Sequence, residues 1–457
     1  VPDRTRHLSG ALVVVALVGA VIGSLGAPLI TPVSRELGVS LNDAQWTLTI
    51  TLLVGAVAGP VLGRLGGGAQ RRSVILGALV AVVIGAVLTT APGPFWLLLV
   101  GRGLQGLALG SVPLLMSVAR SHLPDERGRR SIAALSVTST VGIGVGYPLV
   151  GWIDDLAGLR AAYGLGLVLA VIALVVAWWA VPREAPAPPP RIDIVGAVLL
   201  GVGTLGVLVA IAVPAVWASA SSAVLLPLVT VGVLVAWVVV ELRTPTPLVD
   251  LRLLARPTVL RANGAMLVSG IGMYLLFSLF TRFLQTPADA GYGFALAGVA
   301  AGAALIPFSA LGFVAGRTTP PLIVRVGDRG AFVVAIGAVM LAAVVFAAGT
   351  TSLILVLVAM AVLGFGVGAV SAVMPALVLT GVPAAETASV LTVNQVLRQI
   401  GFSVGSALAG AMLAAATPAE GEYPTPDGYL VAAWWALPPL ALSLIALLVS
   451  KRGSSGQ

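Results

Sequence analysis

Apolar residues fall along the chain in long runs separated by short clusters of charge and turn formers. Crossing a bilayer as a helix takes about 20 apolar residues. Breaking the runs at charged and turn-forming clusters predicts helices near 11–34, 44–66, 72–91, 95–119, 131–153 and 159–182. Two more follow near 192–215 and 222–241, and six near 257–283, 293–315, 330–348, 351–379, 385–416 and 427–450. The first run is too long, and too weakly charged at its front, for a cleaved signal peptide, and is read as a permanent helix. The stretch Pro182–Pro190 is too stiff and too poor in backbone donors for a helix. It divides the chain into a six-helix block at 1–182, a linker with two inserted helices at 183–256, and a second six-helix block at 257–457. The expected fold is an all-α polytopic membrane protein of fourteen helices, two six-helix bundles plus an inserted pair.

The loop charges support an even count. With the N-terminus inside, the inner loops hold nearly all the arginines, among them Arg64, Arg71, Arg72, Arg120, Arg127, Arg252, Arg317 and Arg329. The outer side holds only Arg35, Arg160 and Arg282. Positive charge marks the cytoplasmic side, so both termini are expected in the cytoplasm of a bacterial cell with the chain in its inner membrane. The connection Leu379–Ala385 carries no arginine and is the weakest joint.

Composition narrows the function. Hydrophobic residues make up 58% of the 457 positions and charged residues 9%, against about 25% charged in a soluble domain, so the bilayer is the solvent. The net charge of +8 follows the loop asymmetry and does not indicate nucleic acid. There are no cysteines, and His7 and His122 lie outside the apolar runs, so no thiol chemistry and no metal site are expected. No phosphate-binding loop of the GxxxxGK[ST] kind occurs. No cofactor and no catalytic constellation is expected, and the chain is read as a non-enzyme, acting as a monomer.

A few polar residues sit inside the apolar runs. Arg102 lies about 12 Å from the outer end of helix 4, where a guanidinium must face the bundle interior and be paired or hydrated. It is either a coupling residue or a structural clamp. Helix 5 carries Gly142, Gly144, Gly146, Pro148 and Gly151, with Tyr147 beside the proline. Glycines allow close helix approach and proline a bend. Helix 9 carries Asn263, Ser269, Tyr274 and Phe277, and helix 13 carries Asn394, Gln395, Arg398 and Gln399. Asn394 and Arg398 share a face at i, i+4. Such sets either glue helices together or line a cavity. Tyr147, Asn263, Tyr274, Phe277, Asn394, Gln395 and Arg398 are the candidate cavity residues. Asp43 is read as the N-cap of helix 2, Asp154 and Asp155 as the outer end of helix 5, and Glu386 as a first-turn acid of helix 13. None is a mid-membrane proton carrier.

Four stretches resemble the major facilitator superfamily, in its fourteen-helix drug:proton antiporter branch. Gly63-Arg64-Leu65 with Arg71-Arg72 is similar to the family's loop between helices 2 and 3. Arg102, Gln105 and Gly106 match its Arg-x-x-Gln-Gly element. The helix 5 glycines with Pro148 resemble its antiporter motif, although Tyr147 interrupts the Gly-Pro pair. Six plus two plus six helices is the branch's layout. The loop acid of the pattern falls on Gly67, its second glycine on Gln70, and helix 1 has no acid. The resemblance implies proton coupling or gating by Arg102, Gln105, Gly63, Gly67, Arg71, Arg72, Gly146 and Pro148. It implies proton-coupled efflux of small molecules by alternating access. The few buried charges, with Arg102 and Arg398 offering positive charge, favour a hydrophobic or amphiphilic cargo that is neutral or anionic. The alternatives are a translocator of lipids or lipid-like metabolites and, ranked lower, a nutrient symporter.

Overall fold

The computed structural model describes residues 2–26, 28–66, 70–183, 193–245, 247–248, 251–254, 256–380, 387–419, 421 and 423–448. Gly67, Glu386 and most of the Pro182–Pro190 stretch lie outside the described residues. In chain order the α-helices are α1 Pro2–Ser24, α2 Ile30–Leu37, α3 Leu41–Leu65, α4 Arg71–Thr90, α5 Phe95–Gly110, α6 Val112–His122 and α7 Asp125–Ala180. Then come α8 Ile194–Ala212, α9 Ala220–Arg243, α10 Leu251–Leu254, α11 Pro257–Gln285, α12 Gly298–Ala303 and α13 Ile306–Ala348. The chain closes with α14 Leu353–Leu379, α15 Thr387–Ala415, α16 Pro426–Trp435 and α17 Leu437–Leu448. No strand occurs among the described residues.

Eleven of the described helical stretches are long and apolar enough to cross a membrane, and His7–Gly23 is a shorter apolar one. Two of the eleven bend within themselves. In α7 the bend is at Gly158 (φ 81°, ψ 176°) and in α13 at Gly327 (φ 75°, ψ 168°), backbone combinations open almost only to glycine. The arms of α7 fold back on each other. Val150 clusters with Tyr163, and Leu135 with Ala173 and Val181. Each arm of α7 and of α13 overlaps a separate apolar run of the sequence. Gly158→Ala is expected to cost about 1–3 kcal/mol of backbone strain, seen as a lower melting temperature of the detergent-solubilised protein.

Three local readings are corrected. The N-cap of α3 is Ser40, whose hydroxyl accepts from the Asp43 amide at 3.0 Å and donates to the Asp43 carboxylate at 2.7 Å. Asp43 therefore sits at the third helical position, where its amide and carboxylate both bond the Ser40 hydroxyl. The first run is not one helix, because α1 stops at Ser24 and α2 starts at Ile30. Pro28 has no N–H and its ring clashes with the carbonyl four residues back, so the helix parts there. The tenth run starts at Gly298 instead of near 293, since Gly291 and Gly293 at φ 75° and 79° hold the preceding segment in turns. It then runs through Pro320 and Pro321 to the bend at Gly327.

Two large apolar cores form. One draws mainly on 259–447, with Leu48, Leu52 and Tyr147 joining it. The other spans Leu8 to Val181. The inserted pair is apolar all round, so its sequence does not separate a lipid face from a packed one. α8 lies across the seam between α3 and α15, where Leu208 packs with Leu53 and Ala407. α9 lies against α8 through Gly203–Leu234 and Gly206–Thr230 contacts, and many of its apolar side chains are exposed.

Candidate functional site

One end of the protein is shut. Asp155, at the bend of α7, accepts from the amide of Val299 at 3.0 Å. Gly302 packs so tightly on the Tyr147–Pro148 peptide that an added Cβ would lie 2.4 Å from the Pro148 Cα. Gly151 meets the carbonyl of Gly298, and Gly144 meets Ser309. On the other side of the bundle Gln45 donates to Ser406 at 2.8 Å, and Thr49 and Ser406 share a hydrogen bond of 3.1 Å. Thr31 donates to Gln285 at 3.5 Å. Behind this seal Tyr292 packs on Phe283 and Tyr429 and donates to the carbonyl of Pro424. Burial, reinforced by Tyr429, raises the Tyr292 phenol above its usual range.

The arginine-rich end is open. A cavity of about 400 Å³ lies there between the two halves, within the usual range for small-molecule sites. Its walls are helix stripes at i, i+3, i+4 and i+7 spacing. α3 gives Pro60, Gly63 and Arg64; α6 gives Pro113, Met116, Ser117 and Arg120. α14 gives Ser371, Met374 and Pro375, and α15 gives Leu391, Asn394, Gln395 and Arg398. Leu248, between α9 and α11, reaches the wall, and the neighbouring Pro247 carbonyl accepts from Arg64.

The expected cavity residues divide. Asn394, Gln395 and Arg398 line the cavity. Asn263 does not; it is buried and its carbonyl accepts from Asn394 at 2.9 Å. Tyr147, Tyr274 and Phe277 are not on the wall either. They form an aromatic stack toward the shut end, with centroid distances of 6.2 Å for Tyr147–Phe277, 5.4 Å for Tyr274–Phe277 and 5.0 Å for Tyr274–Phe402. Arg398 joins the two regions, its guanidinium 5.7 Å from the Phe402 ring centre. A polar and aromatic helix face reads alike whether it meets a cavity or another helix, which is why the sequence placed these residues together. The stripes on α6 and α14 are legible in the same spacing but carry no conspicuous polar set.

Arg102 is fully buried and meets carbonyls, not a carboxylate. It donates to Thr47 O at 3.1 Å, Ile22 O at 2.9 Å, Gly23 O at 3.1 Å and Gln105 Oε1 at 2.6 Å. Ile22 and Gly23 end α1, where helix carbonyls lack partners and the helix dipole is negative. The guanidinium thus caps the break that Pro28 makes. Gln105 in turn donates to Thr89 Oγ1 at 3.2 Å, and Thr51 Oγ1 donates to the Arg102 carbonyl at 3.1 Å. Gly26 leaves the room: a Cβ there would lie 3.0 Å from an Arg102 terminal nitrogen.

Of the remaining expected residues, Gly63 and Arg71 line the cavity. Arg72 turns away, donating to the carbonyls of Val181 and Trp178 and lying 5.6 Å from the Trp178 ring centre. Gly146 is buried, and Pro148 lies at the shut seam. Among the described residues no group of three or more His, Cys, Asp or Glu is placed to hold a metal.

The family model described as Major Facilitator Superfamily matches residues 11–406. An uncharacterized MFS-type transporter of Mycobacterium tuberculosis is 31% identical over 210 residues, which is 46% of this chain and 30% of that protein. The chain therefore matches less than a third of that relative's length. A multidrug resistance protein B homolog of the same species is 27% identical over 417 residues, covering 87% of this chain and 75% of the relative. A triacylglyceride transporter of Mycobacteroides abscessus is 30% identical over 218 residues, 46% of this chain and 42% of the relative. Among solved structures, the peptide transporter POT in complex with sulfate superposes with a TM-score of 0.66 at 17% identity, covering 96% of this chain and 94% of the other. At that identity the likeness shows the fold alone.

Proposed function

Because the chain belongs to the major facilitator superfamily, we propose that it is a proton-coupled exporter of hydrophobic or amphiphilic small molecules in a bacterial cytoplasmic membrane. The observation that carries this reading is the cavity, open at the arginine-rich end and shut at the other. Arginine-rich loops mark the cytoplasmic side, so both termini lie in the cytoplasm and the cavity faces the compartment where an exporter loads. Methionine, proline, leucine, isoleucine and valine make up 11 of its 21 lining residues, which suits apolar cargo.

In this reading residues 1–182 and 257–457 are the two bundles, 183–256 carries the inserted pair, and the chain is a monomer of the fourteen-helix drug:proton antiporter branch. The bundles rock about the cavity. The seam of Gly144, Pro148 and Gly151 against Ser309, Gly302 and Gly298 opens as the arginine-rich mouth closes. Gly63 and Arg71 belong to that mouth. Arg102 and Gln105 couple protons to the break in α1, since a change in their hydrogen bonds frees or captures its terminal carbonyls. The relative named a multidrug resistance protein B homolog supports drug-like cargo. The relative named a triacylglyceride transporter favours a second reading, translocation of lipids, which the same apolar wall suits.

The test is dye efflux in a strain lacking its own pumps. Expression should lower intracellular Nile red, and a protonophore should abolish the difference. Efflux that survives loss of the proton gradient contradicts proton coupling.

A further inference from the structure

The cavity wall carries charge of a single sign. Arg64, Arg71, Arg120 and Arg398 line it, and no acidic side chain does among the described residues. Arg64 is tied to the Pro247 carbonyl. Arg398 lies deeper and is poorly satisfied. Its closest acceptor is Ser371 Oγ, at 3.4 Å from one terminal nitrogen, and its Nε is buried with no hydrogen-bond partner. A buried guanidinium N–H without an acceptor is costly. A carboxylate, phosphate or sulfonate would accept from its planar fork in two parallel bonds. Asn394 and Gln395, four and three residues earlier on the same face of α15, add amide groups beside it. Arg120 is exposed at the rim, where positive charge over low-dielectric walls concentrates anions. Met116, Met266 and Met374 supply an adaptable apolar surface on the same cavity.

We infer that the cargo is an amphiphilic anion, its charged head seated on Arg398 beside Gln395 and its apolar body against the methionine wall. This rests on the exporter reading and adds the charge. A cationic drug would meet the arginines of the wall and, among the described residues, no acidic side chain on it. The same head chemistry is offered by an anionic phospholipid of the bilayer and by a water-borne amphiphile such as a fatty acid. Export of an anion with protons moving inward carries net charge, so an interior-negative potential drives it, whereas one-for-one exchange of a monovalent cation for a proton does not respond to that potential.

The full-length protein in phosphatidylcholine nanodiscs tests this with dansyl-undecanoate as the anion, ethidium as the cation and Nile red as the neutral dye. The anion is expected to bind about tenfold or more tighter than ethidium, in keeping with charge-assisted pairing. Arg398→Gln should lower the ratio of anion to Nile red affinity about tenfold, and Arg398→Lys should restore part of it. Should Arg398→Gln lose Nile red binding as well, Arg120→Gln replaces it, and is expected to slow anion association and weaken its salt dependence. Ethidium binding as tight as the anion, or a ratio untouched by both substitutions, overturns the inference. Adding phosphatidylglycerol separates the sources. Competition with the dansyl probe makes the head that of a membrane lipid, and its absence makes it that of a water-borne anion. Nile red efflux from cells separates the two levels. Efflux without anion preference removes the charge assignment alone, while anion binding without efflux of any dye removes the export reading and leaves the binding site.

Discussion

Replacing Arg102 by alanine is expected to abolish gradient-driven transport and to lower thermal stability together. The side chain satisfies the carbonyls of Ile22, Gly23 and Thr47 and the Gln105 amide oxygen in a fully buried place. Each buried polar group left without a partner costs about 1–3 kcal/mol. That cost falls on the Gly23 carbonyl and the Gln105 amide oxygen, whereas Ile22 O keeps the Leu25 amide and Thr47 O keeps the Thr51 hydroxyl. The end of α1 and the segment before α2 then lose the group that holds their geometry. Arg102→Lys keeps the charge but not the fork, and three donors on a flexible stem cannot reproduce bonds to separate helices. It should recover part of the melting temperature and less of the transport. Transport by Arg102→Ala at the wild-type rate and matched expression would reduce the residue to a helix clamp and remove its coupling role.

Gly302→Ala is the second substitution with a large expected effect. Its Cβ would lie 2.4 Å from both the Cα and the nitrogen of Pro148 and 2.4 Å from the Tyr147 carbonyl. Backbone atoms cannot give way as a side-chain tip can. Overpacking a tight contact costs about 1–3 kcal/mol, enough to move a two-state balance by roughly tenfold or more. The strain falls on the shut seam, so the substitution should favour the form with that seam parted and slow the transport cycle. Gly264→Ala in α11, where an added Cβ meets nothing within 4 Å, is the matched control and should transport normally. Equal rates for both variants would show that the α7–α12 contact does not gate the cycle.

Much of the fold was legible because apolar run length and loop arginines are local properties. Helix starts and stops came within a few residues wherever charge or glycine punctuated the chain. The break in α1 was missed because Pro28 and Gly26 sit inside an apolar run, and what makes the break tolerable is an arginine some 80 positions away in sequence. The burial of Arg102 was likewise legible from its depth in an apolar run, but its acceptors were not. Carbonyls carry no sequence signature, whereas a missing carboxylate does. The fit of Gly302 on Pro148 was hidden for a related reason. A glycine's purpose is set by the helix it faces, here about 150 residues distant. The cavity was half legible. Asn394, Gln395 and Arg398 stood out as polar, while Met116, Met374 and Pro375 look like ordinary lipid-facing or core residues until the helices are placed. Tyr147 and Phe277 were assigned to the cavity and lie in the aromatic stack because ring-rich faces serve packing and binding equally well.

Alternating access itself is open to direct measurement. The 457-residue sequence contains no cysteine, so pairs can be introduced into it and spin-labelled. Ser121→Cys with Thr380→Cys reports on the arginine-rich end, and Arg35→Cys with Asp289→Cys on the opposite end, all at exposed positions in different halves of the chain. Pulsed electron paramagnetic resonance then gives both distance distributions as pH is stepped and dansyl-undecanoate is added. The expected result is reciprocal: as the population with a wide arginine-rich end falls, a population with a wide opposite end rises by the same fraction. Distributions that stay fixed under every condition, or that widen together at both ends, would contradict transport by rocking about this cavity.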